Sequence, residues 1–511
     1  MISSTLFAAV EDLSWAQAAQ IVVVVTFVWY IISCVTAWHK LRHIPGPFLA
    51  SFSHLWVARA VFSGRIPYIV NAEQEKYGAV VRVAPDAVAI SDPDTISRLV
   101  SARSPYTRGE WYASMRIDYR GDNLLSEIGA TSHAKRKAIV NTGFSGKFVA
   151  IMEAKIDKWV AALVDSIRAK VANGDHIIDI NQLIEYFQVD LISELQMGKE
   201  WGDLAAETDH YGFMEMSTVF LPALVTMGFL PAARAIYSST LFMKLLGPKT
   251  TDKDGLGAFM GLIEKEINKR FNNKTDEQYE SRDIMDQWIK HGLSADRCQY
   301  DQALLIPAGS ETVVMAIRGT LLLLMSAPVV YQKLKKEIRD GIASGSISDP
   351  ITNDEAKSLE YNQAVIREGM RLISPILFGF PKRVPDAGDT ICGTFLPGGT
   401  EVHTNYYGMM RNKEVFGKDA EVFRPERFLD DGADVARMTR TVELVFGGGR
   451  YMCLGKPFAQ IELNKIFVQL LRNFDFQVGT PEDPWTRWCY PSFNKVSKYQ
   501  ARITEETTMG L

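Results

Sequence analysis

The chain has 511 residues, is 47% hydrophobic and so can bury a large core, and sets 56 basic against 60 acidic residues for a net charge of −4. So even a balance gives no electrostatic footprint for nucleic acid. The five cysteines (Cys34, Cys298, Cys392, Cys453 and Cys489) form no CxxC pair, which argues against a zinc cage or a thioredoxin-type site and fits a reducing compartment. No Gly-, Ser- or Pro-rich linker, low-complexity tract or internal repeat divides the chain. The expectation is one large catalytic unit behind an N-terminal anchor.

The first element is that anchor. Residues 18–38, AAQIVVVVTFVWYIISCVTAW, carry no charge and supply about the 20 apolar residues a membrane-spanning helix needs. No small-residue cleavage site follows, so a signal peptide is disfavoured. Trp15 and Trp38 sit near its ends, where amphipathic rings favour the interface. Glu11 and Asp12 precede it and His39, Lys40 and Arg42 follow, so the positive-inside rule puts the C-terminal bulk in the cytosol. The predicted organisation is a lumenal N-terminus at 1–17, a single membrane span at 18–38, a basic, proline-containing hinge at 39–50 and a catalytic domain at 51–511. The sequon Asn273-Lys274-Thr275 would then lie on the cytosolic side, unused.

Val80–Ser91 is β-branched and partly alternating, and reads as a hairpin turning at Pro85-Asp86. Asp92 and Pro93 look like the cap and first residue of a helix at Thr95–Ala102. Residues 145–345 are mainly helical in pattern. Within them Ala303–Met325 is apolar on almost every face, as a central buried helix would be, and Pro307 with Gly309 should distort it. A second strand pair is expected near Thr390–Tyr406, turning at Pro397-Gly398-Gly399. The predicted fold is mostly α with a small segregated β-sheet, an α+β arrangement.

Phe446–Gly455 reads FGGGRYMCLG, ahead of an apolar-periodic helix carrying Phe458, Ile461, Ile466, Phe467 and Leu470. Three glycines let the backbone lie flat against a planar ligand. A thiolate at Cys453 would face the positive helix end, which lowers its pKa. The plainer reading is a structural cysteine beside a glycine turn. A nucleotide loop is disfavoured because GxGxxG is not matched.

This loop resembles the haem-binding loop of the cytochromes P-450, whose pattern is Phe, two residues, Gly, one residue, Arg, one residue, Cys, one residue, Gly. Phe446, Gly449, Cys453 and Gly455 match. Tyr451 occupies the arginine slot and Arg450 precedes it, as in fungal members. Three further segments resemble the family in family order. Ala308-Gly309-Ser310-Glu311-Thr312 is similar to the oxygen-binding motif, Glu368-Gly369-Met370-Arg371 to ExxR, and Phe423–Phe428 (FRPERF) to the PERF segment. The resemblance covers essentially the whole chain and implies the cytochrome P-450 fold with one N-terminal transmembrane helix.

It also implies haem b, with Cys453 as axial ligand to the iron. Phe446, Gly447, Gly449, Arg450, Ala308 and Gly309 would lie against the haem. Glu368, Arg371 and Arg427 would form a network holding the cysteine loop beneath it. Glu311 and Thr312 would deliver protons to bound dioxygen, although a mid-helix threonine can equally bond back into its own helix. His133, Arg136 and Lys137 are candidates for the haem propionates, with Lys382 and Arg383 competing; a solvated basic face is the alternative for the first three.

The implied activity is a haem-thiolate monooxygenase, inserting one atom of dioxygen into an apolar small molecule. Electrons would come from NADPH-cytochrome P-450 reductase, docked on a basic face at Arg136, Lys137 and Lys456. The setting would be membrane lipid, in the endoplasmic reticulum. Pocket walls would come from Tyr106–Tyr119, Tyr211–Ala235, Leu304–Thr312, Ser374–Phe380 and the Phe493 turn. Phe213, Met214, Phe220, Leu221, Met227, Phe229, Leu230, Phe378 and Phe493 would make the pocket apolar. YTRGEWYASMR at Tyr106–Arg116 resembles fungal members of the pisatin demethylase type, which implies secondary metabolism with a terpenoid, polyketide or indole substrate. The alternatives are a haem-thiolate rearranging enzyme or dehydratase that uses no dioxygen, against which the Glu311-Thr312 pair counts, and a non-catalytic haem sensor.

Overall fold

The uncharged N-terminal stretch forms one helix, Trp15–Leu41, in a computed structural model that describes residues 14–272 and 283–506. Ser14 and Gln17 build a capping box at its start, pairing N–H groups that a helix end leaves without partners. Val23–Leu41 is long and apolar enough to cross a membrane, and none of its apolar window is buried in the protein. The helix is longer at both ends than 18–38, so residues 39–41 belong to it and the hinge is confined to the turn after Leu41. Its last turns are tied down. The buried Arg82 donates to the carbonyls of Ala37 (2.9 Å) and Trp38 (3.5 Å), and Lys40 donates to Gly398 O (2.9 Å). Glu11, Asp12 and the Asn273-Lys274-Thr275 sequon lie outside the described residues, as does the side chain of Trp15.

Val80–Ala84 and Ala87–Ile90 pair antiparallel around Pro85-Asp86. Asp92 caps the next helix, Pro93–Val100, by accepting from Thr95 N at 2.8 Å. The hairpin opens a five-stranded sheet that continues through Glu401–Thr404 and Gly379–Arg383 to Thr107–Arg108. This sheet corrects the reading of Thr390–Tyr406. Asp389–Ile391 and Thr394–Leu396 form their own hairpin, while Glu401–Thr404 runs parallel to Ala87–Ile90. The tight turn falls at Cys392 (φ 47°) and Gly393 (φ 76°), because a two-residue hairpin turn of matching twist needs positive φ at both positions. Pro397-Gly398-Gly399 is a connection between sheets.

Helices make up most of the body. The central one, Ala295–Met325, packs on Ile180–Met197, Gly255–Asn272, Glu360–Leu372 and Lys456–Asn473, which accounts for its apolar residues on every side. Pro307 lies inside it without ending it, so the expected distortion does not amount to a break. The Ala308 carbonyl accepts the Thr312 hydroxyl (3.0 Å) and the Gly309 carbonyl accepts Gln188 Nε2 (3.4 Å). No disulfide joins any of the five cysteines among the described residues.

Candidate active site

The cysteine loop is pressed onto the chain near Val100. Gly447 and Gly449 have φ of 69° and 52°, which L side chains rarely adopt. A Cβ on Gly448 would come within 2.7 Å of Val100 Cγ2, and one on Gly449 within 2.7 Å of Val100 O. Cys453 N donates to Phe446 O at 2.8 Å, closing the loop. The helix Lys456–Asn473 begins three residues on. Burial pushes the Cys453 thiol up, against the pull of the Gly455 and Lys456 N–H groups and of the Lys137 and Lys456 charges. The expected pull of the helix start is present, but burial outweighs it.

Cys453 is the one cysteine among the described residues lining a cavity of about 350 Å³. Each expected wall segment contributes. Trp111, Tyr112, Met115 and Ile117 come from the first, and Phe220, Leu221 and Leu224 from the roof helix Phe213–Gly228. Pro375, Ile376, Phe380 and Phe493 close the far side. Several expected residues are elsewhere. Phe213 packs on Trp201 and Phe259, and Phe229 stacks with Phe378 and His403. Met214, Met227 and Leu230 are also outside the wall.

One end of the cavity is basic. His133, Lys137 and Lys382 line it, together with Arg108, which the sequence reading missed. Lys382 Nζ sits 4.0 Å from the Tyr451 ring centre and Arg108 lies 4.8 Å from it. Lys137 donates to the carbonyls of Arg450 (2.9 Å) and Met452 (2.7 Å). Burial, reinforced by neighbouring cations, pushes Lys382 down to about 7 and His133 to about 3; burial and Arg108 bring Lys137 to about 8. The other candidates do not reach the cavity. Arg136 is spent on Asp301 (2.7 Å) and the Asp122 carbonyl, Arg450 on the Ser104 carbonyl (2.9 Å), and Arg383 lies half-exposed 3.9 Å from Glu110. Lys456 pairs with Glu443 at 3.2 Å. The expected basic docking face is therefore largely committed internally.

Ala308, Gly309, Glu311 and Thr312 also line the cavity. A Cβ on Gly309 would lie 2.7 Å from Ile192 Cδ1, so a larger residue there would have to displace that side chain. Glu311 is paired: it accepts from Ser217 Oγ (2.5 Å) and from Lys495 Nζ (3.1 Å to each oxygen). A second acid missed in the sequence, Glu462, also lines the cavity; burial raises it to about 8, and Gln188 Nε2 donates to it at 3.3 Å.

Behind the cysteine loop, Glu368 accepts from Arg371 Nε and Nη2 (2.7 and 2.8 Å) and from Arg427 Nε (3.0 Å). Both arginines then donate to carbonyls of the 410–422 segment. The cluster reaches the cysteine loop through the helix Val435–Glu443, which packs between them.

A planar macrocycle with a central iron and two carboxylates fits these residues. The sulfur faces the cavity, and thiols are deprotonated outright on coordinating a metal. At the basic end, His133 Nδ1, Arg108 Nε and Tyr451 Oη are buried with no protein partner; buried polar atoms of that kind are costly unless satisfied, and acceptor carboxylates would satisfy them. Fold and site together define the haem-thiolate class. Residues 43–499 match the family model for Cytochrome P450, and the chain belongs to that family. It is 39% identical to the cytochrome P450 monooxygenase aba1 of Botryotinia fuckeliana over 91% of this chain and 92% of that one. It is 35% identical to ABA1 of Pyricularia oryzae (91% and 92%) and 28% to gsfF of Penicillium aethiopicum (93% and 95%), both also cytochrome P450 monooxygenases. The protein is thus a haem b oxidoreductase of the monooxygenase type, a class that works with a reductase and dioxygen.

Proposed function

We propose that this chain is a membrane-anchored monooxygenase that oxidises an apolar small molecule in fungal secondary metabolism. The observation that carries the reading is one apolar cavity lined by both Cys453 and the Glu311-Thr312 pair. Bound haem b would supply dioxygen activation, with R–H, dioxygen, two electrons and two protons giving R–OH and water.

The residues divide the remaining work. Cys453 provides the thiolate, and Phe446, Gly447 and Gly448 give it a flat surround. Arg108, Lys382, His133 and Tyr451 receive the propionates. Thr312 and Glu311 hold and move protons, while Trp111, Phe220, Phe380 and Phe493 orient the substrate and exclude water. Electrons come from NADPH-cytochrome P450 reductase, and the Trp15–Leu41 helix holds the enzyme in lipid of the endoplasmic reticulum.

The test is the full-length chain in microsomes with that reductase. Reduced enzyme should give the carbon-monoxide difference band of a thiolate-bound haem, and NADPH should be consumed with oxygenated product. Cys453→Ser should abolish the band and the product; a variant that keeps both would overturn the assignment of Cys453.

A further inference from the structure

Glu311 lines the cavity, yet its carboxylate is held by two other elements. Ser217, on the roof helix, donates to Oε1 at 2.5 Å. Lys495, on the strand Phe493–Ser497, donates to both oxygens at 3.1 Å. Lys495 also reaches Glu185 at 3.5 Å, and Arg318 closes on the other oxygen of Glu185 at 2.9 Å. These four charged side chains are at most 10% exposed and alternate in sign. Tyr490, un-ionised through its burial, is the remaining titratable group facing both carboxylates. Burial alone would raise the Glu311 carboxyl, but the Lys495 ammonium and the Ser217 hydroxyl outweigh it and keep it below its ordinary range. A buried carboxylate relieved of its counter-charge takes up a proton instead.

We propose that Lys495 is a positioning residue for Glu311: from a strand far along the chain it keeps the carboxylate ionised and, with Ser217, fixes it next to Thr312 for proton transfer. This rests on the monooxygenase reading. The carboxylate takes one proton from solvent and hands one on beside Thr312, so its own charge is unchanged over a turnover.

The experiment uses full-length Lys495→Met with its haem, checked by the carbon-monoxide band. Infrared spectra at neutral pH should show, beyond the protonated-carboxyl band that Glu462 gives in the unsubstituted enzyme, a second such band that adding Glu311→Gln removes. Its titration midpoint should lie at least about one pH unit higher than in the unsubstituted enzyme, the equivalent of a tenfold change in proton affinity. Substrate-free NADPH oxidation to peroxide should rise severalfold. Lys495→Arg should behave as the unsubstituted enzyme. Should Lys495→Met lose its haem, Lys495→Gln, which keeps a polar side chain but no charge, is read for the same band. A tie that served packing alone would lower stability without moving the band. Its absence from either variant, or effects of Lys495→Met and Glu311→Gln that multiply rather than coincide, would overturn the proposal. Because the band reports Glu311 directly, a failure of the monooxygenase reading would appear separately, as missing product in the unsubstituted enzyme.

Discussion

Glu368→Ala should strip the enzyme of stable haem. Glu368, Arg371 and Arg427 are at most 1% exposed, and the carboxylate accepts four bonds: two from Arg371, one from Arg427 and one from the Arg424 N–H at 2.9 Å. Four charge-assisted bonds at roughly 1.5–3 kcal/mol each would sum to about 6–12 kcal/mol. That sum overstates the loss, because Arg371 keeps the carbonyls of Met410, Ala420 and Val422, and Arg427 keeps Asp419 and Val422. What remains is the cost of leaving buried charge unpaired, about 3–5 kcal/mol. Set against a total stability of about 5–15 kcal/mol, that is enough to loosen the 410–422 segment and the cysteine loop beyond it. The assay is haem per polypeptide in purified protein, with the thermal unfolding midpoint measured alongside. Glu368→Gln, which keeps one carbonyl acceptor, should fall between. Full haem content and an unchanged midpoint in Glu368→Ala would refute the reasoning.

Thr312→Val keeps the shape of the side chain and removes a hydroxyl that now donates to Ala308 O; product per NADPH should fall and peroxide rise, within the roughly 10²–10⁴-fold range of positioned proton transfer. Unchanged coupling would leave the hydroxyl a helix-packing group. Deleting residues 1–36 should release the protein from membranes and leave its haem spectrum intact. Deleting 1–42 also removes the Ala37 and Trp38 carbonyls that Arg82 uses, at a cost of about 1–3 kcal/mol, and should lower the melting temperature; equal midpoints would show those bonds to be dispensable. Glu462 is raised to about 8 by burial, so the unfolded chain ionises it first and stability drains away as pH rises from about 4.5 to 8, by up to roughly 1.4 kcal/mol per pH unit. Glu462→Gln should therefore gain on the parent across that window and hold a constant lead above it; parallel pH profiles would show that Glu462 is ionised in the folded protein.

The features legible in the sequence were those carried by a few adjacent residues. Asp92-Pro93 announces a helix start because cap and first residue are neighbours, and the uniform apolarity of Ala303–Met325 needs no partner to be named. The stretch His133–Lys137 shows where such reading stops. His133 and Lys137 are four apart and share the helix face on the cavity. Arg136 leans to one side and finds Asp301, 165 residues away, in a pairing that no local window contains. Glu311 and Lys495 are 184 residues apart, so the motif gave the acid and concealed its counter-ion. Arg108 lay inside a segment read as pocket wall and family resemblance, and Tyr451 was noted only as the residue displacing an arginine. The hairpin near 390 was misplaced because Pro397-Gly398-Gly399 is richer in turn residues than Cys392-Gly393, whereas the deciding property was paired positive φ.

The seating of Gly448 and Gly449 on Val100 also sets when this enzyme can acquire haem. The two surfaces are roughly 350 residues apart, which at about 5–20 residues per second is some 20–70 s of synthesis. The cavity wall begins at Val100 and is completed at Phe493, near the end of the chain. A ribosome-bound fragment therefore offers haem no enclosed surface, however much helix it has already formed. Haem capture must wait for Phe493, long after the Trp15–Leu41 helix has been made, and a shortage of haem would strand synthesised protein rather than halt its production.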